Sequence, residues 1–180
     1  MGFKRVYTKK TYQSKIFELE FRDYLDDNNE LHENIAALLS SDAANVIPVT
    51  NGNNVLLVKQ YRFGIEDYTI EIPGGLCEQA EDKRLAVKRE LLEETGYSAE
   101  YWQYLGSVYS NPVFITSEIH HFIAFGATKT TQQELDFDEE IELLEMPIKE
   151  LLEKLDAGFF KHPHTVSAFN LARKQLQELA

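Results

Sequence analysis

The stretch Gly74–Tyr97, GGLCEQAEDKRLAVKRELLEETGY, constrains this chain more than any other. Its end, Arg89-Glu90-Leu91-Leu92-Glu93-Glu94-Thr95-Gly96, reads as the last turns of a helix. Gly96 supplies the left-handed residue that stops it. Leu85, Leu92 and the alanine and valine between them give one side something to bury. At helical spacing Glu90 and Glu94 share a face, and Glu93 lies beside them. Like charges so placed cost roughly 0.2–0.5 kcal/mol per pair, and acids near a helix C-terminus also oppose its dipole. A helix built for stability alone would carry Lys or Arg there. Three clustered carboxylates make sense around a hard divalent cation, since Mg²⁺ takes carboxylate oxygens and keeps waters for a substrate phosphate.

The spacing is specific as well. Gly75, Glu81, Arg89-Glu90-Leu91, Glu93-Glu94 and Gly96 occupy every fixed position of the Nudix box, and Tyr97 takes a slot that is usually aliphatic. The chain therefore resembles Nudix hydrolases, which cleave nucleoside diphosphates linked to another group. The resemblance implies Mg²⁺, or Mn²⁺ in its place, with two or three ions once substrate is bound. Glu90 and Glu94 are then metal ligands, the Gly74 carbonyl closes the shell, and Glu93 is a ligand or base. Arg89 would orient the carboxylates, with Glu81 completing that network and Gly75 fixed in the box loop.

Four features outside the box bear on a narrower resemblance, to ADP-ribose pyrophosphatases and related nucleoside-diphosphate-sugar hydrolases. Pro112 stands where that subfamily has a downstream proline, although Val113 and Phe114 follow it where glycine is usual. LLVKQYRF resembles the subfamily strand whose arginine, Arg62 here, contacts substrate; read alone, Arg62 is equally a surface arginine. Glu71 alternates into the site on the strand YTIEI, where the subfamily's glutamate meets the sugar beyond the diphosphate. The acidic run Glu134–Glu142 falls where these enzymes place a loop bearing a catalytic glutamate. Glu139 and Glu140 are the candidates, with Asp138 behind them, although such a run is usually a solvated loop. The implied substrate is a nucleoside diphosphate sugar, ADP-ribose first, giving AMP and ribose 5-phosphate. The implied assembly is a homodimer through an N-terminal sheet, with Phe17, Phe21 or Tyr24 as stacking aromatics.

Composition sets the outer limits. With 180 residues, 43% of them hydrophobic, the chain suits one domain with a proper core and perhaps a small appendage. Cys77 is the only cysteine, which excludes an internal disulfide and fits a reducing cytoplasm. No apolar run reaches the length of a membrane span, and the basic N-terminus has no apolar segment behind it to make a signal peptide. A net charge of −12 disfavours a nucleic acid polymer as partner. The first fifteen residues nevertheless hold five basic side chains and no acid, an arm that lies on acidic surface, reaches an anion or simply frays.

Patterning gives an α/β (α+β) fold, a mixed sheet between helices, with segment 1–44 as a small N-terminal β unit and 45–180 as the hydrolase domain. Strands are expected over 14–25, 46–50, 55–58, 68–72, 101–109, 118–126 and 141–145. Residues 30–39 read as strand or, nearly as well, helix. Beyond the box helix, a helix should run from Pro147 to Leu155 and another from about 164 to 178, with Phe169, Ala172, Leu176 and Leu179 on its buried face.

Overall fold

A computed structural model describes residues 2–135, 137 and 140–180. In chain order the elements are β1 (Phe3–Gln13), β2 (Phe17–Asp26), β3 (Leu31–Ser40), β4 (Ala43–Thr50), β5 (Asn54–Arg62), β6 (Asp67–Glu71), β7 (Gly74–Leu76), α1 (Lys83–Thr95), β8 (Tyr97–Ser98), β9 (Tyr101–Tyr109), β10 (Glu118–Lys129), β11 (Ile141–Pro147), α2 (Ile148–Asp156), α3 (Pro163–Leu171) and α4 (Arg173–Leu179). They form two compact units, Met1–Asp42 with Tyr109–Glu118, and Ala43–Val108 with Ile119–Ala180. Among the described residues, no helix is long and apolar enough to cross a membrane.

The first unit is an antiparallel sheet in the order β1-β2-β3. Residues 30–39, open between two readings in the sequence, are strand. The basic segment is neither arm nor frayed end, because it forms β1 along the whole of β2. A strand carrying Lys4, Arg5 and Lys9 thus runs beside one carrying Glu18, Glu20 and Asp23, and opposite charge favours that pairing. The 110–117 loop belongs to this unit too, since Leu38 N–H donates to Phe114 O and Thr116 N–H to Leu38 O.

The second unit is built on an eight-stranded mixed sheet in which β4 pairs parallel with β10, while its other neighbours pair antiparallel. Strand alternation sends side chains to both faces, and both are covered. Ala44, Val46, Phe122 and Ala124 meet Ala86, Val87 and Leu91 of α1 on one face. Ile47, Val49, Val55, Leu57 and Ile123 meet Leu151, Phe169, Ala172 and Leu176 of the C-terminal helices on the other. The expected sheet between helices is what the chain forms. The expected single last helix is instead two, α3 and α4, meeting at Ala172 with φ −89° and ψ 3°.

The box helix corrects one expectation outright. Leu85 and Leu92 lie on its exposed side, 61% and 39% accessible, while the buried stripe is Ala86, Val87, Glu90, Leu91, Glu94 and Thr95. The acids face inward because that stripe, with its small residues, is the one that lies against β4 and the Gly74 loop. The helix ends follow their sequence signals. Asp82 caps the N-terminus by accepting from the backbone of Arg84 and Leu85, and Gly96 at φ 73° closes the C-terminus.

Candidate active site

Burial of two carboxylates on one helix stripe makes α1 the place to look for chemistry, since an ionised group leaves water at a cost that some partner must offset. Glu90 is 9% and Glu94 3% accessible. Their setting is the Gly74–Gly75 loop, held against β4 by the pairing of Gly74 with Asn45 and Gly75 with Ala44. Gly74 (φ 152°) crosses β4 so closely that a Cβ there would fall 2.5 Å from Asn45 Cα, and one on Gly75 would fall 2.6 Å from Glu90 Oε1. Gly74 N–H donates to Glu94 Oε2 at 2.8 Å. The loop thus brings bare main chain against both carboxylates.

Arg89 organises the remaining acids. Its Nη1 donates to Glu90 Oε1 at 2.8 Å and to Glu93 Oε2 at 2.9 Å. Its Nε and Nη2 donate to the two oxygens of Glu81 at 3.2 and 3.1 Å. The hydrogen bond to Glu81 and the charge of Glu90 raise the guanidinium pKa further, and Arg89 holds Glu81 below the ordinary carboxylate range. One cation therefore offsets repulsion among three acids, as a planar fork can. Gly74, Gly75, Glu81, Arg89, Glu90, Glu93 and Glu94 are thus all brought together.

This donor set suits a hard divalent cation. Two buried carboxylates one helical turn apart face a main-chain loop, so every ligand on offer is oxygen, as Mg²⁺ or Mn²⁺ prefers. The three box glutamates are not gathered about one point, however. Among the described residues, the trio of acid and histidine ligand atoms within 4.8 Å of one another is Asp26, Glu30 and His32, at the β2–β3 turn of the first unit. There Asp26 Oδ1 accepts from the backbone of Asn28 and Glu30, an ordinary turn closure.

The carbonyl end of α1 is tied to the start of the acidic run. Thr130 and Thr131 N–H donate to Gly96 O, Glu134 N–H to Glu93 O, and Gln133 Nε2 to Glu94 O at 2.6 Å. Sequence reading missed Gln133, which carries no motif and acts by position. Glu140 is exposed, while Glu139 and Asp138 lie outside the described residues.

Arg62 and Glu71 form a second cluster. In the antiparallel pairing of β5 with β6, Arg62 stands opposite Asp67 and Glu71 opposite Val58. The long Arg62 side chain spans that offset, its Nε and Nη2 donating to Glu71 Oε1 and Oε2 at 2.7 and 2.6 Å. The Thr69 hydroxyl donates to Glu71 Oε1, and His162 Nδ1 stands 3.2 Å from Oε2. Burial raises the Glu71 pKa, but the Arg62 hydrogen bonds and the charges of His162 and Arg62 outweigh it and hold the carboxyl below its usual value. Sequence reading passed over Thr69, although its place two residues from Glu71 on the same strand face was a signal for it. His162 left no such signal, being 91 positions along the sequence from Glu71.

Pro112 is not among these residues. It is exposed in the 110–117 loop of the first unit, beside Val113 at 82% accessibility.

The chain belongs to the Nudix family: the NUDIX domain model matches residues 40–168. It is a hydrolase of that type, and its relatives include pyrophosphatases of ADP-linked compounds. It is 32% identical to the methanol dehydrogenase activator of Bacillus methanolicus over 97% of this chain and 94% of that one. Identity to the ADP-ribose pyrophosphatase of Bacillus subtilis (strain 168) is 28%, covering 86% and 83%. The ADP-sugar pyrophosphatase of Mus musculus is 33% identical over 72% of this chain and 63% of its own. A crystal structure of an ADP compounds hydrolase superposes with a TM-score of 0.84 at 21% identity, covering 99% and 96%, and shows the same fold.

Proposed function

We propose that this protein hydrolyses the diphosphate bond of nucleoside diphosphate sugars in a Mg²⁺-dependent reaction, with ADP-ribose as substrate and AMP and ribose 5-phosphate as products. The observation that carries this reading is the seating of buried Glu90 and Glu94 against the bare Gly74–Gly75 loop. Similarity to the ADP-ribose and ADP-sugar pyrophosphatases supports the choice of substrate.

In this reading Glu90, Glu94 and the Gly74 carbonyl hold the cation, which when bound neutralises phosphate oxygens and lowers the pKa of an attacking water. Glu93, more exposed than its neighbours, serves as a further ligand or as base. Arg89 keeps Glu90 and Glu93 apart and aimed, and Glu81 fixes Arg89. Arg62 binds the substrate's phosphates. Proton removal falls to the acidic segment, to Glu139 or Glu140, a segment whose start at residues 130–134 is fastened to the end of α1.

Two further parts of the proposal concern setting. The cytoplasm suits a chain with one buried thiol. A homodimer suits the first unit, where Phe3, Val6, Tyr7, Tyr12, Leu31 and Ile35 are all exposed. Phe17, Phe21 and Tyr24 are half-buried on β2 and remain the aromatic candidates for stacking a base. A second reading is favoured by the Bacillus methanolicus relative: the same hydrolytic chemistry serves to activate another enzyme.

A panel of diphosphates with Mg²⁺ and phosphatase-coupled phosphate detection tests the substrate class. The reading expects ADP-ribose to be cleaved fastest, with the signal abolished by a chelator. Preference for nucleoside triphosphates, dinucleoside polyphosphates or GDP-mannose would reassign the substrate. Inactivity towards all of them would support a non-catalytic binding role.

A further inference from the structure

We propose that His162 and Glu71 are positioning residues that hold the guanidinium of Arg62 in one orientation for the substrate's phosphates, and that Glu71 itself does not touch substrate. The proposal rests on the reading of Arg62 as a phosphate-binding group.

An ionised carboxylate has about four acceptor sites. On Glu71 three hydrogen bonds are made, from Arg62 Nε and the Thr69 hydroxyl at Oε1 and from Arg62 Nη2 at Oε2, and His162 Nδ1 lies 3.2 Å from Oε2 beside them. Only 2% of its side chain is accessible, whereas 40% of the Arg62 side chain is. A sugar hydroxyl could bond Glu71 only by evicting one of these partners. The carboxylate end of the pair is thus buried and the guanidinium end accessible, the polarity of a support rather than of a contact.

His162 sits at a place where a different residue type would be expected. It occupies the N-cap of α3, where Ser, Thr, Asp or Asn would bond the helix backbone, yet its side chain makes no capping hydrogen bond. Nδ1 instead faces Glu71 at 3.2 Å and Thr165 Oγ1 at 3.1 Å. A proton on Nδ1 would point at an oxygen that can only accept. Burial most of all, and Arg62 beside it, lower the His162 pKa despite the charge of Glu71. Three elements, β5, β6 and the start of α3, converge on one long, rotamer-rich side chain. Stability does not explain such a design, since buried ion pairs are often replaceable by apolar residues without loss.

The test is calorimetric binding of ADP-ribose with a methylene-bridged, non-hydrolysable diphosphate, in the presence of Mg²⁺, with melting points recorded for every variant. Arg62→Lys, which keeps the charge and loses the fork, should weaken binding about 10-fold. Glu71→Gln should weaken it several-fold, and the double variant should be no weaker than Arg62→Lys alone. His162→Leu should weaken binding several-fold, and His162→Asn, which returns an N–H near Nδ1, should restore it. Should Glu71→Gln fail to fold, Thr69→Val replaces it in the same cycle. Multiplicative losses for Arg62→Lys and Glu71→Gln would overturn the proposal, because Glu71 would then have a contact of its own. Equal losses in His162→Leu and His162→Asn would overturn the role of His162. An Arg62→Lys variant that binds normally would remove Arg62 from the substrate and leave the hydrolase reading standing. A wild-type protein that ignores the analogue would remove both.

Discussion

The two units are held together by different means. In the second, both faces of the sheet are sealed by helices, and side chains such as Ile47, Leu57, Leu91 and Phe169 are fully buried. In the first, Ala37 and Ser117 are the only described residues classed as buried, and every residue of β2 is half-exposed. A central strand with no dry face belongs to a sheet without a core of its own, which in water is marginal unless something covers it. The second unit therefore carries the rigidity a catalytic site needs. The first carries exposed apolar side chains, the surface on which the proposed homodimer rests.

That contrast can be broken at several points. Glu94→Gln and Glu90→Gln should each lower Mg²⁺-dependent turnover by at least about 100-fold while the melting point stays within a few degrees of wild type. Unfolding of either variant would show that the acids serve the core and not the chemistry. Leu91→Ala in the sealed unit should cost about 2–5 kcal/mol in urea denaturation. Ile35→Ala in the open sheet should change stability by less than about 0.5 kcal/mol while weakening dimers in sedimentation. A large stability loss from Ile35→Ala in a strictly monomeric protein would mean that the sheet has a core after all.

A smaller effect concerns pH. Burial, aided by His164 and His120, pushes His121 down to about 4 from 6.5, between Asn45 Oδ1 at 2.6 Å and Ser167 Oγ at 2.9 Å. The unfolded chain then takes up a proton that the folded chain refuses, so stability is full above pH 6.5 and falls as pH drops towards 4. About 2 kcal/mol should be gone by pH 5, measured by denaturation at the two pH values. His164, which burial also pushes down to about 4, adds to the same slope, so His121→Asn should reduce it by about its own share, and an unchanged slope would locate the source elsewhere. The lowered pKa of Glu71 adds to the loss only in more acidic solution, below the ordinary glutamate value.

What the sequence made legible was periodic or locally spaced. The box positions, the Gly96 stop, the turn before β5 and the alternation of β2 all follow from neighbours in the chain. The inward face of α1 was misjudged because leucine usually marks the buried side, and here small residues and acids hold it. β1 was missed because its partner strand, and not its own composition, makes it a strand. His162 and Gln133 needed the fold itself, since nothing local sets their distances to Glu71 and Glu94.

The most direct measurement is Mn²⁺ binding followed by the loss of its free-ion paramagnetic resonance signal, in wild type and in Glu90→Gln and Glu94→Gln. Wild type should take up ions, and each variant should bind them at least about 10-fold more weakly at an unchanged melting point. Equal uptake by all three proteins would mean that these buried acids are not where the cation sits.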